Sequence, residues 1–475
     1  MTIVIAILRF ATPCTTSALI ALVVGCAQAT PATRVLAAER AVPAGVTAAP
    51  ASTSGTSDGS CYAGAYSLAD GSVMDIQRTA KERTFRWHRL DGRTGTLVAG
   101  PDGLWRGNRG WTAEVDPTVI RMDQCHAAAI EVNGRPAHRI ALHVVDTRFV
   151  SGKQQLRGRL VMPPGDAGAP VVILVHGSEK YSGVDFYHEQ HLFPALGVGV
   201  FVYDKRGTGQ SSGRYTQDFD ALANDAVAAL AEARRLAGSR TARIGFRGTS
   251  QGGWVAPLAA TRAPVDFVQV AYGLAESPAA EDREQVMSEL RMAGYGPDVL
   301  AKAREVTDAT ALFLATRGRQ GGAAISAVRR YSREPWWNAM RGEYTGSVLR
   351  YPTWITRLAL PFVDVGTPWN HDPVPVLRSV QAPQLWMIAA DDREAPPGET
   401  LRRLHALAAQ GRPITTAVFP DTDHGIVEFV EQRNGQRIRT RYAEGFLAMS
   451  VDWIRDGRLG DRDYGRASVA THRNP

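Results

Sequence analysis

The chain has 475 residues, 44% hydrophobic and 21% charged, a globular composition with enough length for two or three domains. Its net charge of +7 is carried almost wholly by arginine scattered along the sequence, with lysine only at Lys81, Lys153, Lys180, Lys205 and Lys302. A phosphate footprint needs clustered charge, so this diffuse surplus argues against nucleic acid as a partner.

The first segment, residues 1–29, has one charge, Arg9, ahead of an apolar run from Ala18 to Val24, and it reads as an export signal. Pro13, Thr15, Thr16 and Ser17 interrupt it too early for a membrane-spanning helix, which needs about 20 apolar residues. Two processing sites compete: Ala27-Gln28-Ala29 fits the small-residue rule, whereas Val23-Val24-Gly25-Cys26 has the pattern of a lipobox and gives Cys26 a use as a lipidated N-terminus. Processing removes Cys14, which leaves Cys61 and Cys125 as an even pair for a disulfide in an oxidising compartment. Residues 30–60 are Ala, Pro, Thr, Ser and Gly with few large apolar groups, a linker that cannot bury enough surface to fold.

Residues 61–142 alternate in short segments punctuated by Asp70-Gly71, Asp91-Gly92, Asp102-Gly103 and Asn133-Gly134, hairpin signals that predict a small all-β domain. Its Trp87, Trp105 and Trp111 are core candidates first and a glycan platform second. Over residues 143–460 the rhythm changes to continuous apolar runs, "PVVILVH", "VGVFVY", "ARIGF", "VDFVQVAYG", "PQLWMIA" and "ITTAVF", most of them separated by helical patterns. Buried strands alternating with helices predict a mostly parallel α/β sheet. The alternation breaks once, at 279–380, for a helical insertion rich in tryptophan that reads as a cap. Residues 461–475 read as a tail.

Three segments match G-x-S-x-G, centred on Ser57, Ser211 and Ser250. A nucleophilic serine on this motif sits at a strained turn between a strand end and a helix start. Ser57 lies in linker composition, and Ser211 lies several residues past its strand in a glycine-rich loop. Only Ser250, between "TARIGFRG" and "QGGWVAPLAA", has a strand before it and a helix after it. Gly207-x-Gly209 misses the dinucleotide spacing. His188 and His191 in "HEQH" lack a third ligand and read as a helix face, so neither a metal nor a cofactor is implied.

With "VHGSEK", "YDKRGTGQSSG", "GTSQGG", "AADDREAPP" and "PDTDHG" in that order, the chain from about His143 to Arg458 resembles an α/β-hydrolase, most like the bacterial serine-aminopeptidase-like, dienelactone-hydrolase-like and acyl-transferase-like groups. The resemblance implies an α/β-hydrolase fold with a cap insertion, preceded here by the small β domain. It implies Ser250 as nucleophile and His424, just past the last core strand, as base. Asp392 is favoured as the acid through its alignment with Pro396 in the family turn; Asp391 and, more remotely, Glu276 are the alternatives. The backbone amides of Gln251 and Ser178 are the oxyanion donors. Asp204 and Arg206 read as loop scaffolding.

The expected activity is hydrolysis of a small-molecule carboxylic ester in the cell envelope, with the membrane reached only through the lipid. Amide or thioester cleavage, including aminopeptidase action on a peptide, is the nearest rival. A silent glycan-binding envelope protein is the rival from another class. Two arguments favour the ester: no acidic ridge for a free amino terminus is evident, and Trp336 and Trp337 in the insertion suit an acyl or aryl group. With His424 at an ordinary pKa, activity should rise through roughly pH 6 to 7.5.

Overall fold

The computed structural model describes residues 60–81, 83–122 and 128–471. The segments 1–29 and 30–59, and with them Cys26 and Ser57, lie outside the described residues.

The all-β part is a closed barrel of eight antiparallel strands in chain order: β1 (Gly64–Ser67), β2 (Val73–Arg78), β3 (Thr84–Arg89), β4 (Thr94–Ala99), β5 (Leu104–Arg106), β6 (Ile120–Arg121), β7 (Ala129–Val132) and β8 (Arg135–Arg139), with β8 returning to β1. The hairpins turn where the chain tolerates positive φ, at Gly71, Gly92, Gly103 and the pair Asn133-Gly134. A barrel of this size has an interior just wide enough for side chains. Tyr66, Phe85, Trp87, Leu97 and Trp105 fill it, with Phe85 edge-on to Trp105 at 5.1 Å. Trp87 and Trp105 are therefore core residues, and Trp111 lies at the surface under the Arg86 guanidinium, so the three form no glycan platform. Cys61 is buried just before β1; Cys125 lies outside the described residues.

A nine-stranded sheet follows. In spatial order it is β20 (Ser468–Thr471), β16 (Ile414–Phe419), β15 (Gln384–Ala389), β14 (Phe267–Ala271), β13 (Thr241–Thr249), β11 (Ala169–Val175), β12 (Gly199–Tyr203), β10 (Gln154–Met162) and β9 (His143–Ser151). From β12 to β16 all neighbours are parallel, and the three edge pairings are antiparallel. All seven residues of β11 are buried, as a strand covered on both faces requires. The helix Phe219–Ala237 lays Phe219, Leu222, Ala226, Leu230 and Ala233 on one face of the sheet, while Phe446–Asp456 covers the other.

Two features depart from the sequence reading. Residues 461–475 are not all tail: Ser468–Thr471 form the edge strand β20, paired with β16. Three short strands, β17 (Thr422–Asp423), β18 (Val427–Glu431) and β19 (Arg437–Tyr442), form a separate small sheet after the last core strand. Between β14 and β15 the helices Pro278–Met292, Pro297–Ala315, Gly322–Val328, Thr345–Leu349 and Thr353–Val363 share a core of their own around Val286, Leu290, Val306, Phe313 and Trp336.

The barrel is fastened to the α/β part by backbone and by buried charge. The Trp111 amide donates to the Arg439 carbonyl (3.1 Å) and the Tyr442 amide to the Gly92 carbonyl (3.0 Å). Asp75, fully buried, takes Nδ1 of His88 (3.0 Å) on one oxygen and Nδ1 of His191 (2.9 Å) on the other, and His88 stacks on His188 at 4.0 Å. The "HEQH" histidines thus belong to this seam. Among the described residues no histidine, cysteine and carboxylate group has metal-binding geometry.

Candidate active site

β13 ends at Thr249, and two residues separate it from the helix Gly252–Ala260. Ser250 bridges them at φ 51°, a left-handed conformation that costs a non-glycine residue roughly 1–2 kcal/mol. Neighbouring glycines make the turn possible: a Cβ at Gly248 would overlap the Gly252 carbonyl, and one at Gly252 would overlap the Val175 carbonyl. The turn is held by the Ser250 amide on the Ala271 carbonyl (3.1 Å) and the Gly253 amide on the Ser250 carbonyl (2.7 Å).

His424, in the loop between β17 and β18, places Nε2 at 3.1 Å from Ser250 Oγ and Nδ1 at 2.9 Å from Asp392 Oδ2. The other Asp392 oxygen accepts the amides of Glu394 (2.9 Å) and Ala395 (2.8 Å), which fixes the buried carboxylate against the ring. Asp391 points elsewhere: it is exposed, and only its backbone is used, by Thr422 and Arg437. Glu276 is buried after β14 and makes no bond to His424; its carbonyl accepts Trp254 Nε1 (2.6 Å). Ser211 is a strut, donating to the Asp204 carbonyl (2.6 Å) and accepting the Arg157 amide (2.9 Å).

Gln251 sits at the N-terminus of the helix behind Ser250, where first-turn amides have no partner within the helix. The loop carrying Ser178 is tied down beside it: Lys205 donates to the Gly177 carbonyl and Tyr215 Oη to the Ser178 carbonyl (2.5 Å). Asp204 and Arg206 fix the neighbouring loop, through Ser182 and Gln210 and through Asp225. His176 is buried between the rings of Tyr187 and Tyr203, and burial first and Lys205 next hold it neutral, near 3.

Over Ser250 lies a small cavity of about 30 Å³, partly open to solvent, walled by Ser178, Gln251, Trp254 and Tyr344 among others. Trp336 and Trp337 are not among its lining residues: Trp336 is 2% exposed inside the core of the insertion, and Trp337 packs against that core. The wall is acidic instead. Glu281 from the helix Pro278–Met292, Glu343 from the loop before Thr345, and Glu394 from the Asp392 loop all line it, with Glu394 Oε1 at 3.7 Å from His424 Nε2. The absence of an acidic ridge in the sequence reading is thereby corrected; the three residues are far apart in sequence and only folding brings them together.

The electrostatics follow from this crowding. Burial, then the neighbouring carboxylates, holds Glu281 well above the usual range and raises Glu343 to about 7. For His424 burial alone would lower the pKa, but Asp392, Glu394 and Glu281 outweigh it and raise it to about 9. Tyr272, edge-on to His424 at 5.0 Å, was not foreseen; its φ of 44° directly after β14 is visible only in the folded chain.

Residues 170–429 match the family described as alpha/beta hydrolase fold. No curated protein matches the chain. Solved structures to which it is similar include an acylaminoacyl peptidase from Pyrococcus horikoshii, 14% identical with a TM-score of 0.36 over 74% of this chain and 52% of that one. An esterase from Pyrococcus furiosus is 15% identical with a TM-score of 0.36 over 60% of this chain and 84% of that one. The chain thus spans about half the length of the peptidase.

Proposed function

The chain belongs to the α/β-hydrolase family, and from that premise we propose that it is an exported serine hydrolase that cleaves carboxylic esters through an acyl-enzyme on Ser250. The observation that carries this reading is the hydrogen-bonded series Ser250–His424–Asp392. Neutral His424 takes the Ser250 proton at Nε2 as Oγ attacks the acyl carbon, and Asp392 holds the Nδ1 proton and supports the imidazolium that forms. The oxyanion is met by the amides of Gln251 and Ser178. His424 then returns the proton to the leaving oxygen, leaving an acyl-Ser250 ester, which a water deprotonated by the same nitrogen cleaves. Export through residues 1–29, lipidation at Cys26 and a Cys61–Cys125 bridge complete the proposal.

Ser250→Ala should lower turnover by about 10⁴-fold or more and abolish labelling by a fluorophosphonate, whereas Ser211→Ala should keep most of the activity. Labelling that persists in the Ser250 variant would refute the assignment, and unlabelled, inactive wild-type protein would favour a non-catalytic role. Amide cleavage is the second reading, and the three cavity carboxylates speak for it because a peptide's amino terminus is a cation. Matched aryl esters and aminoacyl anilides on one preparation separate the two: faster anilide turnover would overturn the ester reading.

A further inference from the structure

We infer that the cavity over Ser250 selects an acyl donor that carries an ammonium group close to the scissile carbonyl, held by Glu281, Glu343 and Glu394. The inference rests on Ser250 being the nucleophile, and it names the substrate class of that same site.

Three observations support it. The acidic and basic side chains among those lining the cavity are all carboxyl groups, drawn from three separate segments, with no lysine or arginine among the lining residues. Carboxylates brought together away from bulk water repel one another, so the space is unfavourable to an anionic or purely apolar acyl group and favourable to a cation. Independently, Gln251, a residue only 5% exposed, lines the same cavity, and its Oε1 is a buried acceptor without a hydrogen-bond partner. An ammonium has three N–H donors and no acceptor, which complements a wall of carboxylate and amide oxygens.

The acidic wall is built rather than incidental. Asp282 accepts the amides of Tyr344 (2.7 Å) and Thr345 (3.1 Å), and Glu289 accepts those of Arg341 (2.7 Å) and Gly342 (3.0 Å). These four bonds fix the short loop that presents Glu343 against the helix that presents Glu281. Glu394 lies beside the nitrogen that receives the serine proton. A cation held there is within reach of the reacting carbon, which places it on the acyl side of the substrate near its carbonyl, as in an aminoacyl ester or amide.

The experiment compares alanine β-naphthyl ester with its N-acetyl counterpart at about pH 6.5, below the ordinary pKa of an α-amine. Wild-type protein should prefer the ammonium ester by at least about tenfold in kcat/KM, mostly through KM. In Glu343→Gln and Glu281→Gln that ratio should fall toward one. Glu394→Gln, at a half-exposed side chain where misfolding is not at issue, should lower it in the same direction. A wild-type ratio near one, with the N-acetyl ester turned over by Ser250, would overturn the inference and leave the hydrolase standing. A ratio unmoved by all three variants would do the same. Turnover of neither ester would instead remove the hydrolase reading on which the inference depends.

Discussion

His424 is the residue on which the chemistry turns, and its surroundings change what pH should do. Only neutral imidazole accepts the serine proton, so kcat/KM follows the deprotonated fraction in the free enzyme. The groups facing the ring are Asp392 and Glu394 from one loop, Glu281 from the insertion and Tyr272 after β14; burial opposes the proton, and the carboxylates together outweigh it, giving about 9. The rate on a neutral ester should therefore climb from neutrality through about pH 9, above the limb of 6 to 7.5 that an ordinary histidine predicts. Glu394→Gln removes the carboxylate 3.7 Å from Nε2 and should move the limb to lower pH. A limb that stays near 6.5 in wild type would show that burial of the ring offsets the carboxylates in full.

Among the elements, the hairpin β18–β19 joins the barrel to the reactive loops. A Cβ at Gly110 would overlap the Thr440 carbonyl and one at Gly92 the Tyr442 carbonyl, so barrel backbone rests directly on β19. From the same strand Arg437 stacks on Phe429 at 3.8 Å, donates to the Asp391 carbonyl at 2.5 Å and meets the Asp423 carboxylate at 3.2 Å. Those contacts flank Asp392 and His424 in sequence. Arg437 is thus a positioning residue: Arg437→Met should lower kcat by about tenfold with KM changed far less, because small displacements of a base cost rate rather than binding. Arg437→Lys, which keeps the charge without the planar fork, should recover part of the loss. Equal changes in kcat and KM would point to general loosening of the fold instead.

At the scale of the whole molecule, the closed barrel leaves no free strand edge and takes its stability from one filled interior and one fastened seam. A bridge from Cys61 to Cys125 would close a loop of about 64 residues, worth about 4 kcal/mol if chain entropy dominates. Intact-mass measurement on native membrane material should show an acylated N-terminal cysteine at position 26 and no alkylatable thiol before reduction. A mature chain beginning at Thr30 would rule out the lipid, and alkylation of Cys61 under denaturing, non-reducing conditions would rule out the bridge.

Local pattern was enough for much of this protein. The core strands from Ala169 to Phe419 were readable because a strand buried on both faces must be continuously apolar, and the elbow at Ser250 because a strained turn demands glycines at fixed offsets. The Asp-Gly and Asn-Gly turns likewise announced hairpins, though closure of eight strands into a barrel depends on the pairing of Tyr66 with Arg139, a contact no local window contains. What the tertiary structure alone decided is long-range. It turned Asp392 rather than Asp391 onto His424, because two adjacent residues with equal chemistry differ only in the direction the backbone gives them. It sent Trp336 into the insertion core, and it gathered Glu281, Glu343 and Glu394 over one serine. Such a cluster has no spacing in sequence, since it is held against its own repulsion by packing energy contributed by the rest of the fold.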